Sequence, residues 1–201
     1  MKKLESTFIN MFLVLLAIAL ISGGALGTVY NITKAPIAEA KMAKQLKAIQ
    51  QVVPGFTNQP SQESINVDTD GGTVVLYPAK KDGKFIGAAV ETFTKNGFSG
   101  LVKVMVGFDR EGKIINYSVL EHKETPGLGS KMNEWFRTGK GDINGKNPAT
   151  TKMTVSKDGG DIDAITAATI SSRAFLDAVN RGYKVYMDNI TSLEGATATN
   201  E

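Results

Sequence analysis

The chain has 201 residues, of which 42% are hydrophobic and 21% are charged, and its formal net charge is +3. It contains no cysteine and one histidine, which excludes disulfides, iron–sulfur clusters, cysteine-ligated zinc and multi-histidine metal sites. Basic and acidic residues are interleaved along the chain, an arrangement that argues against a nucleic-acid-binding surface. We therefore expect one folded domain with an appended segment, without a metal site or a catalytic constellation.

A long apolar segment opens the chain, and no residue in the range 6–33 is charged. Because about 20 apolar residues span the hydrocarbon core of a bilayer, residues 1–34 are predicted to be a cytoplasmic N-terminus followed by a transmembrane anchor. Lys2 and Lys3 precede the segment, so the positive-inside rule places the N-terminus in the cytoplasm and the main domain on the periplasmic or equivalent side. A cleaved signal peptide, cut near residues 25–27, is the alternative.

An amphipathic pattern follows the apolar segment. Apolar residues recur at three- and four-residue steps over positions 37–53, with lysines between them, which predicts a second helix that starts after Pro36 and ends before Pro54. The polar residues 55–71 are predicted to form a loop. Residues 35–71 thus form an amphipathic helix and linker.

Strands dominate the next part of the chain. Four are predicted, at residues 73–79, 84–93, 100–109 and 113–122. Turn residues separate them into two hairpins, and the alternation of polar and apolar residues suits antiparallel strands with one buried face. We expect a short helix around Trp135, a further strand at 152–157 and a terminal helix over 170–187. Residues 72–190 are therefore predicted to be an α+β domain, an antiparallel sheet with flanking helices, before a polar tail at 191–201.

Two segments stand out as candidate binding elements, and the first is ETPGLGSK at residues 124–131. Pro126 restricts one backbone dihedral, whereas Gly127 and Gly129 permit conformations that are closed to other residues. Such a loop can lay its backbone N–H groups against a ligand. An ordinary tight turn after a strand is the alternative.

The second segment is DIDAITAATISSRAF, residues 161–175. Its hydroxyl residues are Thr166, Thr169, Ser171 and Ser172. A helix that begins near Thr169 has unsatisfied N–H groups and a positive dipole end there, which favours an anion such as phosphate. Ala167 and Ala168 leave room for a bulky group, and Arg173 would balance its negative charge. A capped helix that binds nothing is the alternative.

Residues 163–169 read Asp-x-x-Thr-Ala-Ala-Thr and resemble the covalent flavinylation signature of the FMN-binding domain family. In that family the last hydroxyl of the motif carries FMN through a phosphoester bond that a dedicated flavin transferase installs. The resemblance implies Thr169 as the attachment residue. The residues that frame it are Asp163, Thr166 and Ala168. Members of the family more often have glycine where this chain has Ala167.

The whole chain resembles the G-subunit family of the Rnf complex, because an apolar span, an amphipathic helix, GFSGLVKVMVGFD, EHKETPGLG and the flavinylation motif follow in that order. The resemblance implies a membrane-anchored electron carrier with covalent FMN. Its complex couples electron flow between ferredoxin and NAD to Na⁺ or H⁺ translocation, with other membrane subunits as partners and no complete activity of this chain alone. The implied flavin-site residues are Thr169, Asp163, Thr166, Ala167, Ala168, Ile170, Ser171, Arg173, Glu124, Thr125, Gly127, Leu128, Gly129, Gly97 and Ser99.

Three other functions fit the same features. The related C subunit of the sodium-translocating NADH:quinone reductase shares the FMN-binding domain but is generally longer. A separate FMN-domain protein of another extracytoplasmic electron pathway would show the same motifs. A membrane-anchored binding protein without redox activity is the third, and it requires that the terminal helix merely has a capped end.

Overall fold

The computed structural model describes residues 7–195, so the predicted cytoplasmic N-terminus and the end of the predicted tail lie outside the described residues. The first element, α1, runs from Phe8 to Val52. Among the described residues, α1 is the one helix that is long and apolar enough to cross a membrane. The part of the chain up to Ala43 forms a compact unit by itself.

The predicted break between two N-terminal helices is wrong, because α1 continues through Pro36. A proline inside a helix removes one backbone hydrogen-bond donor. The helical turns on both sides of Pro36 keep their own backbone hydrogen bonds. The amphipathic residues 37–52 therefore continue the apolar segment without an intervening loop.

A five-stranded antiparallel sheet forms the centre of the second unit, which begins at Lys44, with the order β1-β2-β3-β4-β5. The strands are β1 (Ile65–Thr69), β2 (Gly72–Lys81), β3 (Lys84–Gly97), β4 (Gly100–Asp109) and β5 (Ile114–His122). The predicted antiparallel sheet with flanking helices is thus confirmed. The prediction of a loop throughout 55–71 is wrong, since β1 lies within it and pairs with β2.

The last helix, α3 (Thr169–Gly195), covers one face of this sheet. The shared core contains Val90, Val104 and Phe108 from the sheet and Phe175 and Tyr186 from the helix, all of them buried. The Phe108 and Tyr186 rings stack with their centroids 5.3 Å apart. The terminal helix predicted for 170–187 is therefore present and extends further toward the C-terminus.

The final turns of α1 cover the opposite face of the sheet. Ile49 and Val52 pack there with Tyr77 and Met105. Gly107 permits this approach, because a Cβ atom at that position would lie 2.1 Å from the Val52 carbonyl oxygen. The central strands are consequently buried on both faces, and the prediction of one buried face is wrong for them.

The segment between β5 and α3 consists of turns and one short helix, α2 (Met132–Trp135). The strand predicted at 152–157 is wrong, since Val155 makes only an isolated bridge with Ile162 and Ser156–Asp158 form a 3₁₀ turn. Gly159 ends that turn in a left-handed conformation, with φ of 74°.

Candidate functional site

A cavity of about 330 Å³ lies where the β3–β4 hairpin, the loop after β5 and the start of α3 meet. Its lining residues are Phe98, Glu124, Thr125, Leu128, Gly129, Ala167, Ala168, Thr169, Ile170 and Ser171. The two segments that the sequence singled out, 124–131 and 161–175, therefore contribute to one cavity although they are far apart in the chain.

The start of α3 forms one wall of this cavity. The first helical hydrogen bond runs from the Ser172 N–H to the Ala168 carbonyl at 3.0 Å, so the N–H groups of residues 169–171 lack an intrahelical partner. The Ser172 hydroxyl is buried; it accepts a hydrogen bond from the Ile165 N–H at 2.9 Å and donates one to Ala168 O at 3.0 Å. Ser172 thus caps the turn before the helix, whereas Thr169 faces the cavity.

Ala167 holds a backbone conformation that is unusual for a residue with a side chain. Its φ is +60°, in the left-handed region that glycine adopts without steric cost. The turn that presents Thr169 therefore requires a left-handed residue, and this chain supplies it with alanine.

Glu124 joins the three segments that surround the cavity. Its side chain is buried, with Oε1 accepting the Ser99 N–H at 3.0 Å and Oε2 accepting the Ser171 hydroxyl at 2.5 Å. Glycines make room for the carboxylate, because a Cβ atom at either Gly97 or Gly129 would lie 2.7 Å from one of its oxygens. Glu124 thereby holds the β3–β4 hairpin and the first turn of α3 against its own loop.

Several residues implied by the resemblance lie outside the cavity lining. Gly127 has φ of +75° and donates its N–H to the Ser130 hydroxyl at 2.9 Å, which shapes the turn. The Asp163 carbonyl accepts a hydrogen bond from Trp135 Nε1 at 2.9 Å, which fixes the segment before α3. Thr166 is exposed.

Arg173, the predicted partner for negative charge, already has a carboxylate partner. Its guanidinium donates two hydrogen bonds to Asp158, at 2.7 and 2.8 Å. Hydrogen bonding from Arg173 lowers the pKa of the Asp158 carboxyl below its usual value. Arg173 therefore ties the 3₁₀ turn at Ser156–Asp158 to the first turns of α3.

Two residues at the site are not among the individual flavin-site residues that the resemblance implies, although one of them, Phe98, lies between the implied Gly97 and Ser99. Phe98 lines the cavity although 67% of its surface is exposed. The Lys157 ammonium donates a hydrogen bond to the Thr169 hydroxyl oxygen, with 3.5 Å between Nζ and Oγ1. An aromatic residue in a turn bounded by two glycines, GFSG at residues 97–100, was a usable sequence signal for Phe98. No spacing rule links Lys157 to Thr169, since the intervening turn sets their distance.

Comparison with known proteins gives matches over both parts of the chain. Residues 97–184 match a family described as FMN-binding domain, and residues 7–52 match one described as RnfG N-terminal region. The chain is 35% identical over 179 residues to the G subunit of the ion-translocating oxidoreductase complex of Salmonella typhi, covering 83% of this chain and 86% of that protein. The same values hold for the corresponding protein of Escherichia coli (strain K12). The corresponding protein of Erwinia tasmaniensis is 37% identical over 175 residues, covering 81% of this chain and 82% of that protein.

Proposed function

The chain belongs to the family of G subunits of the ion-translocating oxidoreductase complex, and from this membership we propose that it is an electron-transfer subunit carrying FMN as a phosphoester on Thr169. Its complex couples electron flow between ferredoxin and NAD to the movement of Na⁺ or H⁺, and other membrane subunits are its partners. The observation that carries the proposal is the cavity that Thr169 shares with the loop at Glu124–Gly129.

The residues around the cavity fit a flavin mononucleotide. Phe98, Leu128 and Ile170 line it with 67%, 40% and 48% of their surfaces exposed, and an aromatic ring system lying there would cover this apolar surface. The start of α3 offers free N–H groups to a phosphate attached at Thr169. FMN, when bound, supplies the redox chemistry, and the chain holds and orients it.

Attachment needs the Thr169 hydroxyl and a flavin donor that contains a phosphoanhydride bond. A new P–O bond forms between Thr169 Oγ1 and the FMN phosphorus, while the phosphoanhydride P–O bond breaks and a nucleoside monophosphate leaves. The hydroxyl proton is lost to a base or to solvent, and nothing is oxidised or reduced. We assign this group transfer to a flavin transferase, for which Ala167 and Thr169 lie at the open side of the cavity.

We place the FMN-carrying domain on the extracytoplasmic side of the cytoplasmic membrane, with α1 as a single-pass anchor. Lys2 and Lys3 before the apolar segment support this orientation through the positive-inside rule. A covalent tether suits that side, because FMN lost outside the cytoplasm is not readily replaced.

The proposal is tested on the full chain produced together with a flavin transferase. We expect in-gel flavin fluorescence after denaturation, and peptide mass spectrometry should show one FMN phosphoryl adduct on the peptide that contains Thr169. Thr169→Val should abolish the adduct while Thr169→Ser, which keeps a hydroxyl at this position, should retain it.

Thr138→Val is the control for the loss of an exposed threonine hydroxyl and should keep the adduct, since Thr138 lies outside both the motif at residues 163–169 and the cavity lining. An adduct that persists in Thr169→Val would show that the attachment residue is wrong. A wild-type chain without any covalent flavin, under conditions where the same transferase loads another substrate protein, would refute the proposed function itself.

A further inference from the structure

We propose that Lys157 is the cationic partner of the FMN phosphate at Thr169, which rests on the function proposed above and assigns one of its contacts. Lys157 Nζ lies 3.5 Å from Thr169 Oγ1, the oxygen that would become the bridging atom of the phosphoester. An ammonium group at that distance from the bridging oxygen lies within reach of the phosphate oxygens attached to the same phosphorus.

The backbone around Lys157 is held in place by contacts that do not involve its own side chain. Lys157 is the middle residue of the 3₁₀ turn Ser156–Asp158. The next residue, Asp158, accepts two hydrogen bonds from Arg173 of α3, and Val155, which precedes the turn, is buried and bridges to Ile162. The turn is therefore fixed on both sides of Lys157 against the helix that begins with Thr169.

Arg173 and Lys157 are two cationic side chains near the start of α3, and their hydrogen bonds indicate different functions for them. The Arg173 guanidinium already donates to both carboxylate oxygens of Asp158, so recruiting it to a phosphate would break a bidentate pair. Lys157 donates to Thr169 instead, and can turn from the hydroxyl to a phosphate without losing an ion pair on the described residues. Arg173 is thus a positioning residue, and Lys157 is the residue that contacts the phosphate.

Attachment of FMN to Thr169 creates a negative charge that the Lys157 ammonium can pair with. Thr169 is neutral before loading and carries a phosphodiester afterward, with one negative charge beside the positive end of α3. Lys157 is solvent-exposed, so pairing costs it little desolvation, and screening by water keeps the gain small. We therefore expect Lys157 to alter loading and the loaded state but not the fold of the unloaded chain.

The experiment compares Lys157→Met, Lys157→Arg and Lys152→Met in the full chain, with a flavin transferase at limiting concentration. Lys152 is an exposed lysine of the same segment and controls for the loss of one positive charge. Two quantities are measured: the initial rate of covalent loading by in-gel fluorescence, and the rise in Tm on loading. Lys157→Met should load about three- to fivefold more slowly and lose about 2 °C of the loading-induced rise in Tm. Lys157→Arg and Lys152→Met should behave as wild type.

Three other outcomes would overturn the assignment of Lys157 to the phosphate. Wild-type loading and an undiminished rise in Tm in Lys157→Met would show that Lys157 does not pair with the phosphate, while the covalent FMN on Thr169 would still stand. An equal defect in Lys152→Met would assign the effect to overall charge. A lower Tm of unloaded Lys157→Met would assign Lys157 to the fold. Failure of the wild-type chain to load would instead refute the proposed function.

Discussion

The cavity has a buried support and an open surface, and the two are built from neighbouring residues. The support consists of Glu124, Gly129, Ser171 and Ser172, all of them buried. The open surface consists of Phe98, Leu128, Ala167 and Ile170, all exposed, together with the partly exposed Thr169. Four consecutive residues of α3, 169–172, are divided between the two sets. One sequence signature can therefore combine residues that hold the fold with residues that are left free for a ligand.

Gly129→Ala changes a residue of the buried support, and of the variants considered it should lower the free energy of unfolding most. The new Cβ would lie 2.4 Å from Ser171 Oγ and 2.7 Å from Glu124 Oε2, so the hydrogen bond between them must break or the loop must shift. We expect a loss of about 2–3 kcal/mol in the free energy of unfolding. Denaturant unfolding of the full chain in detergent, followed by the fluorescence of Trp135, measures this loss.

Gly127→Ala is the control, in a position with no atom within 4 Å of the added Cβ. Its φ of +75° means that alanine is strained there, and the net cost should be about 1 kcal/mol. Equal costs at positions 127 and 129 would contradict the view that packing against Glu124 and Ser171 decides the effect.

Glu124→Ala should have the next largest effect. It removes the acceptor of the Ser99 N–H and of the buried Ser171 hydroxyl, and leaving such donors unsatisfied should cost about 2 kcal/mol. Glu124→Gln should cost less than about 1 kcal/mol, because its amide oxygen still accepts one hydrogen bond and the Ser171 hydroxyl can turn to accept from its NH₂ group.

The same unfolding measurement ranks these two variants. If Glu124→Ala and Glu124→Gln lose similar amounts of unfolding free energy, then the negative charge of Glu124 stabilises the support, and the ability of its side chain to form hydrogen bonds does not suffice. No loss in either variant would show that the three segments stay together without Glu124.

Much of the fold could be predicted because its elements carry strong local patterns. The apolar segment, the two hairpins and the start of α3 at Thr169 follow from hydropathy, alternation and turn residues. The strand β1 was missed because its five residues, INVDT, are mostly polar, and only pairing with β2 makes them a strand. The helix does not break at Pro36 as predicted, because the loss of one backbone hydrogen bond does not outweigh the hydrogen bonds of the helical turns on either side.

The sequence predicted which residues belong to the site, but not which of their hydroxyl groups support the fold and which face the cavity. The spacing of hydroxyl residues in 161–175 does not reveal that Ser172 bonds to Ile165 and Ala168, or that Ser171 bonds to Glu124. The Ser171 contact depends on how α3 packs against a loop 47 residues earlier in the chain, whereas the Ser172 contacts depend on the turn directly before α3. Buried hydroxyls and exposed ones look alike in a sequence, so their separation required the structure.

Ala167→Gly should have the smallest effect, and its sign is opposite to that of the support variants. Ala167 is exposed with φ of +60°, so glycine removes about 1–2 kcal/mol of backbone strain. Glycine also gains freedom in the unfolded chain, which costs about 0.4–1 kcal/mol. The net result should be a gain of about 0.5 kcal/mol in the free energy of unfolding, with Ala164→Gly as a control that should lose stability. A loss in Ala167→Gly would mean that contacts of the Ala167 methyl group outweigh its strain, and the open surface would then also support the fold.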